Sequence, residues 1–141
     1  MTAAFSRSST LAAYQTVATH GGVAAADPHR LIVMLMDGAL DRIAQARGCI
    51  QHDALPEKNR LLAAAVSIVE ELRASLDLKL GGTIAANLDD LYDYCCRQLI
   101  KANMQNHVPT LDEVTHLLGE IRSAWIALPQ EARALRASTA P

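Results

Sequence analysis

The sequence predicts an all-α fold: an antiparallel up-down-up-down four-helix bundle with a short, mobile N-terminal helical segment. Apolar residues recur at helical spacing along four long stretches. No stretch alternates apolar and polar residues over a useful length. The breaks between stretches are short, which makes neighbouring helices run antiparallel. Residues 1–26 are read as a flexible segment or lid, 27–128 as the bundle and 129–141 as a short tail.

Asp27-Pro28 opens the first long helix, predicted over 28–51. The Asp can accept from free N–H groups of the first turn, and Pro suits the first helical position. This helix contains Leu-Ile-Val-Met-Leu-Met at 31–36. Consecutive residues step about 100° round the axis, so these apolar side chains encircle it. A surface helix needs only one apolar stripe, so some of this surface must be covered by something besides an ordinary core. That favours a binding protein over an enzyme. Gly38 sits inside this helix at a cost of roughly 1 kcal/mol relative to Ala. Close approach of another helix and simple tolerance explain it equally well.

Asp53 and Pro56 mark the next break, and a second helix is predicted over 57–80. Its stripe is Leu61, Leu62, Ala65, Val66, Ile68, Val69, Leu72 and Leu76, and Gly81-Gly82 ends it. Thr83 is placed to cap a third helix carrying Leu88, Leu91, Tyr92, Cys95, Leu99 and Ala102. After a break at 106–109, Thr110 and Glu113 read as a capping box. The fourth helix then sets Leu111, Val114, Leu118, Ile121, Trp125 and Leu128 on one heptad-like seam, with Pro129 as its stop.

In the N-terminal segment, Leu11, Tyr14, Val17 and Ala18 share one helical face before Gly21-Gly22. So short a helix is marginal alone, where about 12–15 residues are needed, and is expected to form only when docked. A permanently packed fifth helix and a displaceable lid over a partner's groove both stay open. Burial of the leftover apolar surface in a homodimer stays open as well.

Composition narrows the function classes. The 141 residues suit one domain with one core, half of them hydrophobic and few aromatic. Thirteen basic and fifteen acidic residues give a net charge of −2, against a nucleic-acid binder. The three cysteines, Cys49, Cys95 and Cys96, do not suggest a disulfide framework, and a reducing cytoplasm is expected. No apolar run approaches the roughly 20 residues that span a bilayer, and no signal peptide is expected.

Candidate chemistry is sparse. Glu113 and His116 form one Glu-x-x-His pair, where a di-iron bundle needs two such pairs and further carboxylates. His116 faintly resembles a phosphorylatable histidine on a bundle, without the usual neighbouring Lys. Cys95 continues a core face, and no His/Cys spacing suits zinc. Glu70-Glu71 and Asp89-Asp90 read as solvated charges. No catalytic residue, metal or cofactor is expected.

Several segments together resemble the FliS-type flagellar export chaperones. The similarity begins at Tyr14-Gln15 and is close over Asp27-Pro28-His29-Arg30-Leu31-Ile32-Val33-Met34-Leu35-Met36-Asp37-Gly38-Ala39-Leu40. It continues through Leu76-Asp77, Gly81-Gly82-x-Ile84-Ala85-x-Asn87-Leu88, Leu91-Tyr92-Asp93-Tyr94 and Leu99-Ile100-x-Ala102-Asn103. Asn106, Glu113-Val114 and Ala124-Trp125 complete it. The ordered set covers about residues 11 to 128. Met36 stands where the family has Tyr or Phe, Asp27 where it has Ser, and His107 where it has Asp. The 21–26 linker also departs from the pattern, which bears on lid geometry.

The resemblance implies a cytosolic, non-enzymatic chaperone that holds the C-terminal segment of flagellin, prevents its premature polymerisation and presents it to a membrane export-gate protein. It needs no nucleic acid and no membrane insertion. Leu31, Ile32, Leu35 and Met36 are expected to divide between core and groove, and Tyr14, Gln15 and Val17 to belong to the N-terminal element. Asp93 and Asn103 match family positions and rank second. A helical adaptor for another amphipathic client and a histidine phosphotransfer bundle are the alternatives.

Overall fold

The computed structural model describes residues 27–128. The N-terminal segment, with Tyr14, Gln15 and Val17, and the tail from 129 lie outside the described residues. Four helices follow one another: α1 Pro28–Gln51, α2 Leu55–Ala74, α3 Leu78–Gln105 and α4 Val108–Ile126. There is no strand among the described residues. Each helix packs on the next and α4 closes back on α1, so the four form a bundle around one core.

Each helix supplies its stripe to that core. Leu35, Met36, Ala39, Ile43 and Ala46 come from α1, and Leu61, Leu62, Ala65, Val69 and Leu72 from α2. Tyr92, Cys95, Leu99 and Ala102 come from α3, and Leu111, Val114, Leu118, Ile121 and Trp125 from α4. Burial of a large aliphatic side chain contributes about 1.5–3 kcal/mol. Asp27 caps α1 as its sequence suggests, its carboxylate accepting the His29 N–H at 3.0 Å.

Three expected boundaries move. The second helix stops at Ala74, not at 80, because Ser75 closes it: its hydroxyl donates to the Leu72 carbonyl at 2.7 Å. Asp77 rather than Thr83 then caps α3, accepting from the Lys79 and Leu80 N–H groups. The first turn of α3 is offset from the rest by a kink at Gly82, with φ 56° and ψ −133°. The Thr110–Glu113 capping box does not form. His107 caps α4, its Nδ1 accepting from the Thr110 N–H at 3.3 Å, and Pro109 sits within the first turn. Asn106, in the left-handed region at φ 51°, makes the tight turn out of α3.

Two charged residues are buried, Lys58 and Glu71. Glu71 was expected at the surface, but it lies three residues after Ile68 on the inward stripe of α2. The buried Lys58 ammonium donates to the Asn103 carbonyl at 2.8 Å and to Asn106 Oδ1. It thereby places a cation at the C-terminal carbonyls of α3, where the helix dipole favours one.

Candidate partner-binding surface

The apolar run at 31–36 divides unevenly. Leu31, Ile32, Leu35 and Met36 are all buried, whereas Val33 and Met34 are half-buried. Leu31 stands outside the connected core cluster although it is buried. It occupies the first turn of α1 beside a clasp between the two outer helices. His29 and Trp125 stack with ring centroids 5.1 Å apart and planes 12° from parallel. The Trp125 indole N–H donates to the His29 carbonyl at 3.0 Å. His29 Nε2 lies 2.8 Å from the Trp125 carbonyl, which can only accept, so the proton is on Nε2. Two further rungs join these helices, Arg122 to Asp37 and Arg47 to Asp112. Sequence spacing carries no signal for a pair 96 residues apart such as this clasp.

Asp93 sits in a charge network between α2 and α3. Arg73 donates to Asp89 at 2.7 Å and to Asp93 at 3.1 Å, and Arg97 donates to the other Asp93 oxygen at 3.0 Å. The Asp89 carboxylate, through its hydrogen bond, pushes the Arg73 guanidinium above its ordinary range. Asn103 is half-buried, and its backbone carbonyl receives Lys58. Asp93 and Asn103 thus lie at different levels of the α2–α3 seam, away from Leu31 to Met36.

The exposed large apolar side chains fall in separate places. Leu78, Leu80 and Ile84 are 54%, 50% and 74% exposed around the Gly82 kink. This is the end of the bundle where α1 starts and α4 stops, so residues 1–26 and 129–141 join it there. Ile100 and Met104, 50% and 81% exposed, lie on the outer side of α3 toward its other end. None of the five stands on the apolar stripes read from the sequence, and only Ile84 and Ile100 fall in the segments that carry the family resemblance.

The side chains weighed for chemistry show no reactive arrangement. Burial pushes the Cys95 thiol up to about 12, with Glu113 adding to it, and burial also raises Cys96. Both stay protonated thiols near neutral pH. His116 is exposed and bonds Glu120 one turn on, while Glu113 accepts from the Tyr94 hydroxyl at 2.7 Å. No group of three His, Cys, Asp or Glu among the described residues is placed to hold a metal ion. No helix among the described residues is long and apolar enough to cross a membrane.

Comparison with known proteins gives a consistent result. Residues 10–132 match the family model described as flagellar protein FliS. The chain is 46% identical over 112 residues to the flagellar secretion chaperone FliSB of Pseudomonas aeruginosa, covering 79% of this chain and 89% of that protein. It is 39% identical over 128 residues to the flagellar secretion chaperone FliS of Vibrio cholerae, covering 91% and 94%. The Bacillus subtilis flagellar secretion chaperone FliS is 33% identical over 110 residues, covering 78% and 81%.

Proposed function

The chain belongs to the flagellar protein FliS family, and from that premise we propose a cytosolic chaperone that binds the C-terminal segment of flagellin and hands it to the membrane export gate. It acts by stoichiometric binding, without catalysis. The matched span of the family model, which takes in the whole bundle and the Tyr14-Gln15 pair, carries this reading.

The physical task fits a helical bundle. A client segment that self-associates through amphipathic helices must have its apolar faces covered until export. A disordered client gives up conformational freedom on binding and offsets that only across a large contact surface. Leu78, Leu80 and Ile84 offer apolar contacts directly. Ile32, Leu35 and Met36 are taken up by the bundle core, which leaves Leu31, buried but outside the connected core cluster, as the one of the four that a displaced covering element would offer a client. Residues 1–26, with Tyr14, Gln15 and Val17 on the amphipathic stretch, are that element in this proposal. Asp93 and Asn103 serve as positioning residues of the α2–α3 seam.

The test is calorimetric titration of the full chain with the isolated C-terminal segment of flagellin. One-to-one binding with co-elution is expected. Absence of both heat and co-elution at tens of micromolar, where Kd values near 1 μM are easily seen, sinks the proposal. Deleting residues 1–20 is expected to change client affinity. Unchanged affinity removes the lid while leaving the chaperone.

A further inference from the structure

The inward stripe of α3 outruns its cover. Leu88, Leu91, Cys95, Leu99 and Ala102 stand at steps of three and four residues, and Ile84 continues that line four residues before Leu88. Cys95, Leu99 and Ala102 have no exposed surface, Leu88 and Leu91 are half-buried, and Ile84 is 74% exposed. Two registers explain the gap. Arg73 pairs with Asp89 at the last turn of α2, so Ile84 lies about 7.5 Å further along α3 than that pairing. Tyr94 donates to Glu113, so in the antiparallel α3–α4 pair Ile84 lies level with residues 123 and 124. Ala124 comes about three turns after Glu113 and so shares its face of α4. It is too small to cover Ile84 and is itself exposed. Ile84 and Ala124, with Leu78 and Leu80 beyond the Gly82 kink, thus leave an uncovered apolar strip between the start of α3 and the end of α4.

We propose that the chain's own C-terminal tail, residues 129–141, folds back over this strip and sets Leu135 against Ile84. Sequence continuity selects the occupant. The α4 seam of Leu111, Val114, Leu118, Ile121, Trp125 and Leu128 goes on at the same steps with Ala132 and Leu135. The helix itself ends at Ile126, and Pro129 is the point at which the chain turns, since a proline there opposes further helix. Seven residues from Leu128 to Leu135 span up to about 24 Å, ample for the roughly 8–10 Å between packed helices. Residues 1–26 enter elsewhere. They lead into α1, which packs on α2 and α4 and stands diagonally across from α3. One consequence rests on the client reading above: the tail shields the strip until the flagellin segment displaces it, and so lowers client affinity.

Disulfide trapping in the full chain tests the docking without any client. In a Cys49→Ser background, Ile84→Cys/Leu135→Cys is compared with Ala86→Cys/Leu135→Cys under oxidised glutathione; Cys95 and Cys96 are buried. Ala86 is exposed as Ile84 is, but two residues step about 200° round the axis, so it faces nearly the opposite way. An undocked tail reaches both positions alike. A docked tail is expected to favour position 84 about tenfold or more through its effective concentration, in a disulfide that peptide mapping places within one chain. Equal trapping at the two positions, or disulfides only between chains, overturns the proposal. Leu135→Asp is expected to raise client affinity about three- to tenfold in the calorimetric titration. Unchanged affinity overturns the competition. Trapping at position 84 with no client binding by wild type or variant upholds the docking and refutes the client reading instead.

Discussion

Gly81 and Gly82 offer a perturbation whose two costs have different causes and can be separated. At Gly82 the backbone has φ 56° and ψ −133°, and a Cβ there meets nothing within 4 Å. Ala at this position is strained by its own backbone, at about 1–3 kcal/mol. At Gly81 a Cβ lies 2.6 Å from the Ala85 Cβ. Ordinary carbon contacts fall at about 3.5–4.0 Å, and neither atom has a rotamer that can yield. Overpacking there costs about 1–3 kcal/mol. Ala85→Gly removes the opposing atom at about 1 kcal/mol of helix propensity. The double variant Gly81→Ala/Ala85→Gly is therefore expected to cost less than the sum of its parts, whereas Gly82→Ala and Ala85→Gly add. Thermal unfolding resolves this, at roughly 4–8 °C per kcal/mol for a bundle of about 100 residues. A Gly82→Ala variant as stable as wild type refutes the backbone argument. Equal relief of both glycine variants by Ala85→Gly refutes the separation.

Three further outcomes are expected. His107→Asp puts a carboxylate at the first turn of α4, where it both caps and complements the dipole, and should raise stability by about 0.5–1 kcal/mol in urea unfolding; no gain means that the imidazole caps equally well. Asp112 is held below the usual carboxylate range mainly by its hydrogen bond to Arg47. A depressed folded-state value means that the pair's stabilisation is present above the unfolded carboxylate range, near pH 4, and is lost as pH falls through the lower folded-state range. Asp112→Asn should therefore be less stable than wild type near neutrality by a small margin that closes as pH falls below the unfolded carboxylate range, and a margin constant with pH contradicts the assignment. Met36→Tyr, towards the family residue, enlarges a side chain with no exposed surface and should cost about 1–3 kcal/mol in thermal unfolding; a neutral result means that the core repacks around the ring.

The bundle was legible because apolar spacing reports packing directly. Leu111, Val114, Leu118, Ile121 and Trp125 form the seam that their spacing predicts, and α1 runs over 28–51 as predicted. Helix ends were less legible because local polar bonds set them. Leu76 extends the apolar stripe of α2 past its end, while the Ser75 hydroxyl closes the helix. His107 and Thr110 could each cap α4, and both patterns fit the same residues. The buried charges did leave a signal. Lys58 precedes Leu61 and Leu62, and Glu71 follows Ile68, by helical steps that place them on inward stripes. Reading adjacent carboxylates as surface charges overlooked that face. The His29–Trp125 clasp left no signal, since tertiary packing alone brings the start of α1 against the end of α4.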